Sequence, residues 1–217
     1  MKICFVAWSD FGIGGVPRVL TCLMDALSRK HDVSLYSLKN LPPSGIQGIN
    51  REQIHIYCRE MNLYEKIRRS AADVLVCKTP LFSSALGCRL YAAARYTSGF
   101  KKALTNHLNK HQYDVVIFGS GFEDSLLLAL TKNKLLPSMR ILTWSHASYD
   151  NYFTNMGSFF SRYMKEAIKA YYHRFDEIIV LSDGDEKEFR EKHHLPARRI
   201  YNPNTCLLYT SPTHETD

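Results

Sequence analysis

The chain has 217 residues, of which 45% are hydrophobic, so it can bury a substantial core and is expected to fold as a globular protein. Its six cysteines are scattered without a Cys-x-x-Cys pair, which argues against a disulfide framework or a zinc site and favours reduced packing residues. The net charge is +7, and the basic residues are spread along the chain without a dense run. A mildly cationic surface attractive to anions is predicted, and no nucleic-acid partner is expected.

The sequence carries neither a membrane span nor a secretion signal. No apolar run approaches the roughly 18 to 20 residues that a spanning helix needs. The first residues, MKICFVAWSDFG, lack the long apolar core and the small-residue cleavage site of a signal peptide. The predicted compartment is therefore the cytoplasm.

Apolar runs alternate with helical patterns along the chain, which is typical of a parallel sheet covered by helices on both faces. The predicted strands are residues 2–7, 32–38, 53–58, 114–119, 140–144 and 177–182. The predicted helices are residues 16–30, 123–133, 158–175 and 183–194, and a mostly helical, basic region covers 63–112. The pattern predicts an α/β fold with a doubly wound parallel sheet.

The stretch SDFGIGGVPRVL, residues 9–20, connects the first strand to the first helix. It is not the dinucleotide motif G-x-G-x-x-G, because Pro17 occupies the sixth position, and no Gly-Lys-Ser/Thr follows it as in a phosphate P-loop. One interpretation is that Gly14 and Gly15 let a phosphate or sugar approach the backbone at the start of the helix. The other is a turn that needs glycine only for left-handed backbone angles.

His146, in the stretch LTWSHASYD, follows the fifth predicted strand at the same edge of the sheet. A histidine there can donate to a sugar hydroxyl or stabilise developing charge, and it can equally be a structural residue. His193 and His194 are adjacent, but no cysteine or carboxylate stands at metal-ligand spacing from them. No metal site is predicted.

Several motifs together resemble the family 4 retaining glycosyltransferases of the GT-B fold, in which Gly-Gly-x-x-Arg-Val follows the first strand and a His-Asp pair precedes the second. The matching residues are Gly14, Gly15, Arg18, Val19, His31 and Asp32. Later stretches also fit, namely YDVVIFGS, ILTWSH, FDEIIVLSDGDEKEF and RRIYNPN. The resemblance runs in order over residues 1–205.

The resemblance implies that residues 1–205 form the acceptor-side, N-terminal Rossmann-like domain of a two-domain enzyme. It implies a nucleotide-sugar donor approached by Gly14, Gly15 and Arg18, a sugar contact from His146, and transfer with retention without metal or other cofactor. It also implies a sugar or lipid-linked acceptor, whose binding residues it does not identify, and a role in cell-surface polysaccharide or glycolipid assembly. The family's donor-binding C-terminal domain is absent from the sequence, so this chain alone is expected to be inactive.

Residues 206–217, CLLYTSPTHETD, continue neither the strand and helix alternation nor a capping pattern. They resemble the translation of a widely used transposase sequencing adapter. They are interpreted as an artefactual tail, the alternative being a genuine disordered terminus.

Two further interpretations stay open. The first is a stand-alone Rossmann-like module that binds a nucleotide or phosphosugar without catalysis. The second adds a patch within residues 82–111 that docks on an anionic membrane surface at the inner face of the membrane or on a nucleic acid. Helical spacing equally allows Leu90, Tyr91 and Ala94 to belong to the core. The residues of that patch are Phe82, Leu86, Arg89, Leu90, Tyr91, Arg95, Lys101 and Lys102.

Overall fold

Parallel strands form one sheet in the computed structural model, which describes residues 1–8, 14–39, 52–78, 84–120, 122–154 and 159–203. The seven strands of these ranges are β1 (Lys2–Ala7), β2 (Asp32–Ser37), β3 (Ile54–Cys58), β4 (Val115–Phe118), β5 (Arg140–Trp144), β6 (Glu177–Val180) and β7 (Ala197–Arg199). Their spatial order is β3-β2-β1-β4-β5-β6-β7, and each neighbouring pair is parallel. The direction of winding therefore reverses between β1 and β4.

Helices connect these strands. Those in the described ranges are α1 (Gly15–Ser28), α2 (Leu63–Lys78), α3 (Ala85–Arg95), α4 (Ser98–His111), α5 (Leu126–Thr131), α6 (Tyr149–Phe153), α7 (Phe159–Tyr171) and α8 (Asp183–His193). The six predicted strands and the predicted helices are confirmed, and the region 63–112 contains α2, α3 and α4. The strand β7 was not predicted, because three residues of sequence Ala-Arg-Arg carry no apolar run. The predicted tail, residues 206–217, lies outside the described residues.

The sheet is covered on both faces, as the apolar runs predict. Phe5 of β1 packs on one face in a cluster with Leu20 and Met24 of α1. Cys4 and Val6 point to the opposite face, where they join a larger cluster with residues of α3, α4, α5 and α7. Successive strand residues alternate between faces, so a strand buried on both sides must be apolar throughout.

Strand β2 contains two polar residues, Ser34 and Ser37, and both are buried. The Ser37 hydroxyl donates to the carbonyl of Lys39 at 2.7 Å, which satisfies it without water. Serine is small enough to lie under a covering helix, so the polar positions of this strand do not mark a solvent-facing side.

A cluster of aromatic rings packs between β2, β3 and α4. The His107 ring lies 4.4 Å from the Tyr36 ring and 4.6 Å from the Tyr57 ring, measured between centroids. Burial, together with the nearby positive charges of His111 and Lys110, lowers the pKa of His107 to about 4. The cluster therefore holds this imidazole in its neutral form.

We expect the His107→Gln variant to lose part of the acid sensitivity of the fold. Between pH 6.5 and about 4 the unfolded chain takes up a proton at residue 107 that the folded chain refuses. The free energy of unfolding therefore falls as the pH is lowered through this range, and this contribution is constant below it. Urea unfolding at several pH values should show that the free energy of unfolding depends less steeply on pH in His107→Gln than in the wild type across this range. An equal dependence of the free energy of unfolding on pH in the wild type and in His107→Gln would contradict the lowered pKa of His107.

Candidate functional site

The candidate site lies at the carboxyl edge of the sheet, where β1 and β4 are neighbours and the winding reverses. Ligands of open α/β sheets bind in the crevice at such a reversal. Trp8 follows β1, and Gly119 and Ser120 follow β4. The ends of the two strands are joined directly, because the backbone N–H of Trp8 donates to the Ser120 hydroxyl at 2.6 Å.

Gly14 and Gly15 begin α1 and are both exposed. Gly14 has φ 174° and ψ 159°, which is extended backbone that any residue can adopt, and Gly15 is not in the left-handed region either. Among the described residues, a Cβ added at Gly15 would meet no atom within 4 Å, and one at Gly14 would make an ordinary contact with Pro17 at 3.4 Å. Neither glycine is therefore required by backbone strain. Gly12 lies outside the described residues.

The backbone N–H groups and the partial positive charge of the first turn of α1 lie beside these two glycines. Gly14 supplies no side-chain cap, and the first turn contains no acidic residue. Arg18 is exposed on the same turn, and its backbone N–H donates to the Gly14 carbonyl at 3.3 Å. A helix terminus of this kind favours an anion.

His146 follows β5 at the carboxyl edge of the sheet and is hydrogen-bonded to the residue that follows β4. Its Nε2 lies 3.0 Å from the Gly119 carbonyl oxygen, which can only accept, so Nε2 carries the proton. Its Nδ1 is buried without a hydrogen-bond partner among the described residues. Burial lowers the pKa of His146, partly offset by the Gly119 carbonyl, and this favours the neutral ring. The site therefore contains a histidine whose donor is engaged and whose Nδ1 lone pair is an acceptor.

Gly119 contacts both His146 and α1, and the sequence did not predict its role. A Cβ at this position would lie 2.3 Å from Cδ2 of Leu20, a fully buried residue of α1. Only glycine lets α1 approach the end of β4 this closely. The position of α1 and the orientation of His146 thus depend on the same backbone segment. A glycine directly after a buried strand is the signal that could have indicated it.

A buried ionic cluster lies next to the site, at the ends of β1 and β4. Asp124 accepts from Arg95 Nη2 at 2.7 Å, from Arg69 Nη2 at 3.0 Å and from the Tyr96 hydroxyl at 3.1 Å. The Arg69 guanidinium lies 3.8 Å from the centroid of the Trp8 ring. Arg95 also pairs with Asp73 of α2. This cluster links α2 and α3 to the carboxyl edge of the sheet, and its residues are too far apart in the chain for local patterns to predict it.

A second ion pair fixes the start of α2. The Glu65 carboxylate accepts from Arg59 at 2.9 Å, from the Thr97 hydroxyl at 3.1 Å and from the backbone N–H of Asn62 at 3.1 Å, while the Asn62 side chain caps the Glu65 N–H in return. Burial raises the pKa of Glu65, but these hydrogen bonds outweigh it and hold the pKa below its usual value. The carboxylate therefore stays ionised although the residue is buried.

The patch predicted within residues 82–111 is only partly a surface. Leu86, Arg89 and Leu90 are exposed, but Tyr91 and Arg95 are buried in the cluster around Asp124, because α3 turns this face toward the sheet. Phe82 lies outside the described residues. Among the described helices, none is both long and apolar enough to span a membrane.

Solved structures with the same fold define the class of the domain. A lipopolysaccharide outer core galactosyltransferase, WaaB in its apo form, matches with a TM-score of 0.53 and 14% identity over 94% of this chain and 46% of its own. HepE from Anabaena, solved in complex with UDP and glucose, matches with a TM-score of 0.54 and 13% identity over 93% of this chain and 44% of its own. The fold is that of a Rossmann-like domain of the GT-B glycosyltransferases, and the chain spans about half the length of these proteins.

The sequence itself gives the family. The model of Glycosyltransferase Family 4 matches residues 13–203, and the chain belongs to this family. A search of curated proteins finds no match. The resemblance stated from the sequence motifs is therefore confirmed, whereas the roles of Gly14, Gly15, Arg18 and His146 stay predictions.

Proposed function

We propose that the chain is the acceptor-side domain of a retaining glycosyltransferase that uses a nucleotide sugar. The observation that carries the proposal is the start of α1 at the reversal point of the sheet, where Gly14 supplies no side-chain cap and His146 follows β5 at the same edge. The complex of HepE with UDP and glucose supports a nucleotide-sugar donor for a domain of this fold. A hexosyl donor is proposed on the same basis.

In this proposal the donor diphosphate approaches Gly14 and Gly15, where no side chain intervenes. The N–H groups of the first helical turn donate to phosphate oxygens, and the charge of Arg18 stabilises them electrostatically. His146, at the same edge of the sheet, contacts the transferred sugar. Transfer proceeds with retention and without a bound metal or cofactor.

A biological role is also proposed from the solved structures of the same fold. WaaB acts in the lipopolysaccharide outer core, which supports a role in cell-surface polysaccharide or glycolipid assembly. The acceptor is a sugar or a lipid-linked sugar at the cytoplasmic face of a membrane. Residues 1–205 form the acceptor-side domain, and a C-terminal domain would supply the remaining contacts to the donor. The chain alone is proposed to turn over little or not at all, because a large share of the transition-state contacts is missing.

The test is to titrate nucleotide sugars into the chain, following binding by NMR, and to assay transfer with a panel of nucleotide sugars and lipid-linked acceptors. We expect weak, saturable binding of at least one nucleotide sugar, weaker binding of the free sugar, and little or no transfer. The absence of binding to every nucleotide sugar would contradict the donor assignment. Transfer at the rate of a complete two-domain enzyme would contradict the proposed inactivity.

A further inference from the structure

The segment that carries His146 leads from β5 into the short helix α6, and its first residue is fixed by β6. The backbone N–H of Ser145 donates to the Ile179 carbonyl at 2.8 Å. The Ser145 hydroxyl donates to the Ala147 carbonyl at 2.8 Å, which closes a tight turn that contains His146. The segment therefore leaves the sheet in a defined direction, and its far end lies at Tyr149, the first residue of α6.

Helix α6 has five residues and receives its N-terminal cap from another helix. A helix this short is not stable by itself, and its first N–H groups have no acceptor within the helix. Ser148 occupies the N-cap position, but within the described ranges its side chain makes no capping hydrogen bond. The first N–H, that of the buried Tyr149, donates instead to Oδ1 of Asp185 in α8 at 2.7 Å. Asp185 thus takes the place of a local cap.

Asp185 is held in the orientation that this bond requires. Its other oxygen, Oδ2, accepts a hydrogen bond from the Ser182 hydroxyl at 2.7 Å, and the Asp185 backbone N–H donates to the same hydroxyl at 3.0 Å. Ser182 is the N-cap residue of α8 and lies just beyond the end of β6. The carboxylate is therefore fixed near the edge of the sheet, with one oxygen bonded to α6.

Ring contacts attach α6 to α8 a second time. The Tyr149 hydroxyl lies 3.0 Å from Nε2 of His193, in the last turn of α8. The Phe153 ring is stacked on the His193 ring, with 4.2 Å between the centroids. The rings of Tyr149 and Phe153 also lie against Phe189, which is fully buried. These contacts give His193 a packing role that its position in the sequence did not indicate.

The orientation of the His146 ring depends on the backbone of residues 145–149. Nε2 donates to the Gly119 carbonyl at 3.0 Å, and the ring lies parallel to the Trp144 ring, with 5.8 Å between centroids and 4° between planes. Both contacts require the segment to leave β5 along its present path. Only a few residues separate the imidazole from the bond to Asp185. A displacement of the start of α6 would therefore turn the imidazole away from Gly119.

We infer that Asp185 is a positioning residue for His146. By capping α6 from α8 it fixes the segment 145–149, and through this segment it keeps the Nε2–H of His146 on the Gly119 carbonyl. The inference deepens the proposed function and rests on the sugar contact proposed there for His146. Asp185 acts through the imidazole and not on the substrate, since its two oxygens already bond to Tyr149 and Ser182.

The experiment follows the His146 ring by NMR in the full chain, with isotope-labelled histidine. The spectrum of His146→Gln identifies the ring signal by its absence. In the wild type the Nε2 proton should exchange slowly with water, because it is bonded to the Gly119 carbonyl. In Asp185→Ala the exchange should be at least about tenfold faster, because the segment loses a buried hydrogen bond to a charged group.

Two further variants separate positioning from a general effect on α8. Asp185→Asn should exchange like the wild type, because the amide oxygen can accept from the Tyr149 N–H in the same place. The control Glu186→Ala removes a carboxylate from the same turn, but this carboxylate accepts from the backbone N–H of Arg199 and not from α6. It should leave the exchange of the His146 proton unchanged.

Equal exchange in the wild type and in Asp185→Ala would overturn the inference, and so would equal acceleration in Glu186→Ala. Far-UV circular dichroism checks that each variant folds. If Asp185→Ala does not fold, Asp185→Glu replaces it, because it keeps the charge of the turn and moves the oxygens by one methylene. The same faster exchange is expected from it.

Titration with UDP-glucose separates this inference from the proposed function, because the ring signal requires no ligand. Binding should weaken in Asp185→Ala and stay unchanged in Glu186→Ala. Faster exchange in Asp185→Ala with unchanged binding would contradict the sugar contact of His146 on which the inference rests. Failure of the wild type to bind any nucleotide sugar would contradict the donor, whereas the hold of Asp185 on the imidazole is decided by the exchange rate.

Discussion

Replacing Asp124 by alanine is expected to lower the free energy of unfolding by about 3–5 kcal/mol, because it breaks a buried ion pair from one side only. The carboxylate accepts hydrogen bonds from both Arg69 and Arg95, and Arg95 is 5% exposed. Of the described side chains, Asp73 is the carboxylate that would stay paired with the two arginines, so part of their positive charge would be buried without compensation. Urea unfolding followed by far-UV circular dichroism measures the loss.

The matched control is Asp25→Ala, which removes a carboxylate from an exposed ion pair with Arg29 on α1. An exposed pair of this kind contributes about 0–1 kcal/mol, so the control should be nearly neutral. If Asp124→Ala also cost less than about 1 kcal/mol, it would behave like an exposed pair and the buried cluster would not stabilise the fold. Such a result would also count against the ion pairs as the cause of the orientation of α2.

The fold could be predicted because its signals are local. Continuous apolar runs mark strands that are buried on both faces, and the helical patterns between them require parallel connections. Strand β7 escaped prediction because Arg198 and Arg199 pair with β6 mainly through the backbone, which any sequence can do. In β2, Ser34 is buried because a covering helix excludes water from a small polar residue, and this depends on tertiary packing.

The orientation of α2 could not be predicted, because the usual rule gives the opposite result. Leu63, Ile67 and Val74 form the stripe that a periodicity argument places inside the protein. The structure places them outside, since Glu65 and Arg69 find buried partners that are remote in sequence. Tertiary ion pairs decided the orientation, and a single sequence does not reveal such pairs.

The candidate site was predicted by position but not in its contacts. The glycine turn and His146 follow strands whose carboxyl ends share one edge, and their location follows from topology alone. The bond from His146 to the Gly119 carbonyl joins residues that are remote in sequence, and the packing of Leu20 against Gly119 is likewise a property of the folded chain. The sugar contact of His146 stays a prediction.

Replacing Gly15 by alanine is expected to weaken nucleotide-sugar binding by about tenfold or more, or at least 1.4 kcal/mol, without loss of stability. The new Cβ meets no atom of the described residues within 4 Å, so none of these groups has to move. Alanine in a helix is more favourable than glycine by about 0.5–1 kcal/mol, and the variant should be equally or slightly more stable. A phosphate that lies against the Gly15 backbone would meet the methyl group directly. NMR titration and urea unfolding measure the two effects separately.

The variant Gly184→Ala provides the matched control. Gly184 is an exposed residue in the first turn of α8, and a Cβ there lies 3.8 Å from the Ser182 hydroxyl, so the same substitution fits without strain. It should give the same small gain in stability with unchanged donor binding. Wild-type affinity in Gly15→Ala would mean that the donor does not approach this glycine. Loss of binding in both variants would mean that the effect does not come from the turn after β1. Weaker binding in Gly15→Ala alone, with stability retained, is the result that a phosphate site at the start of α1 requires.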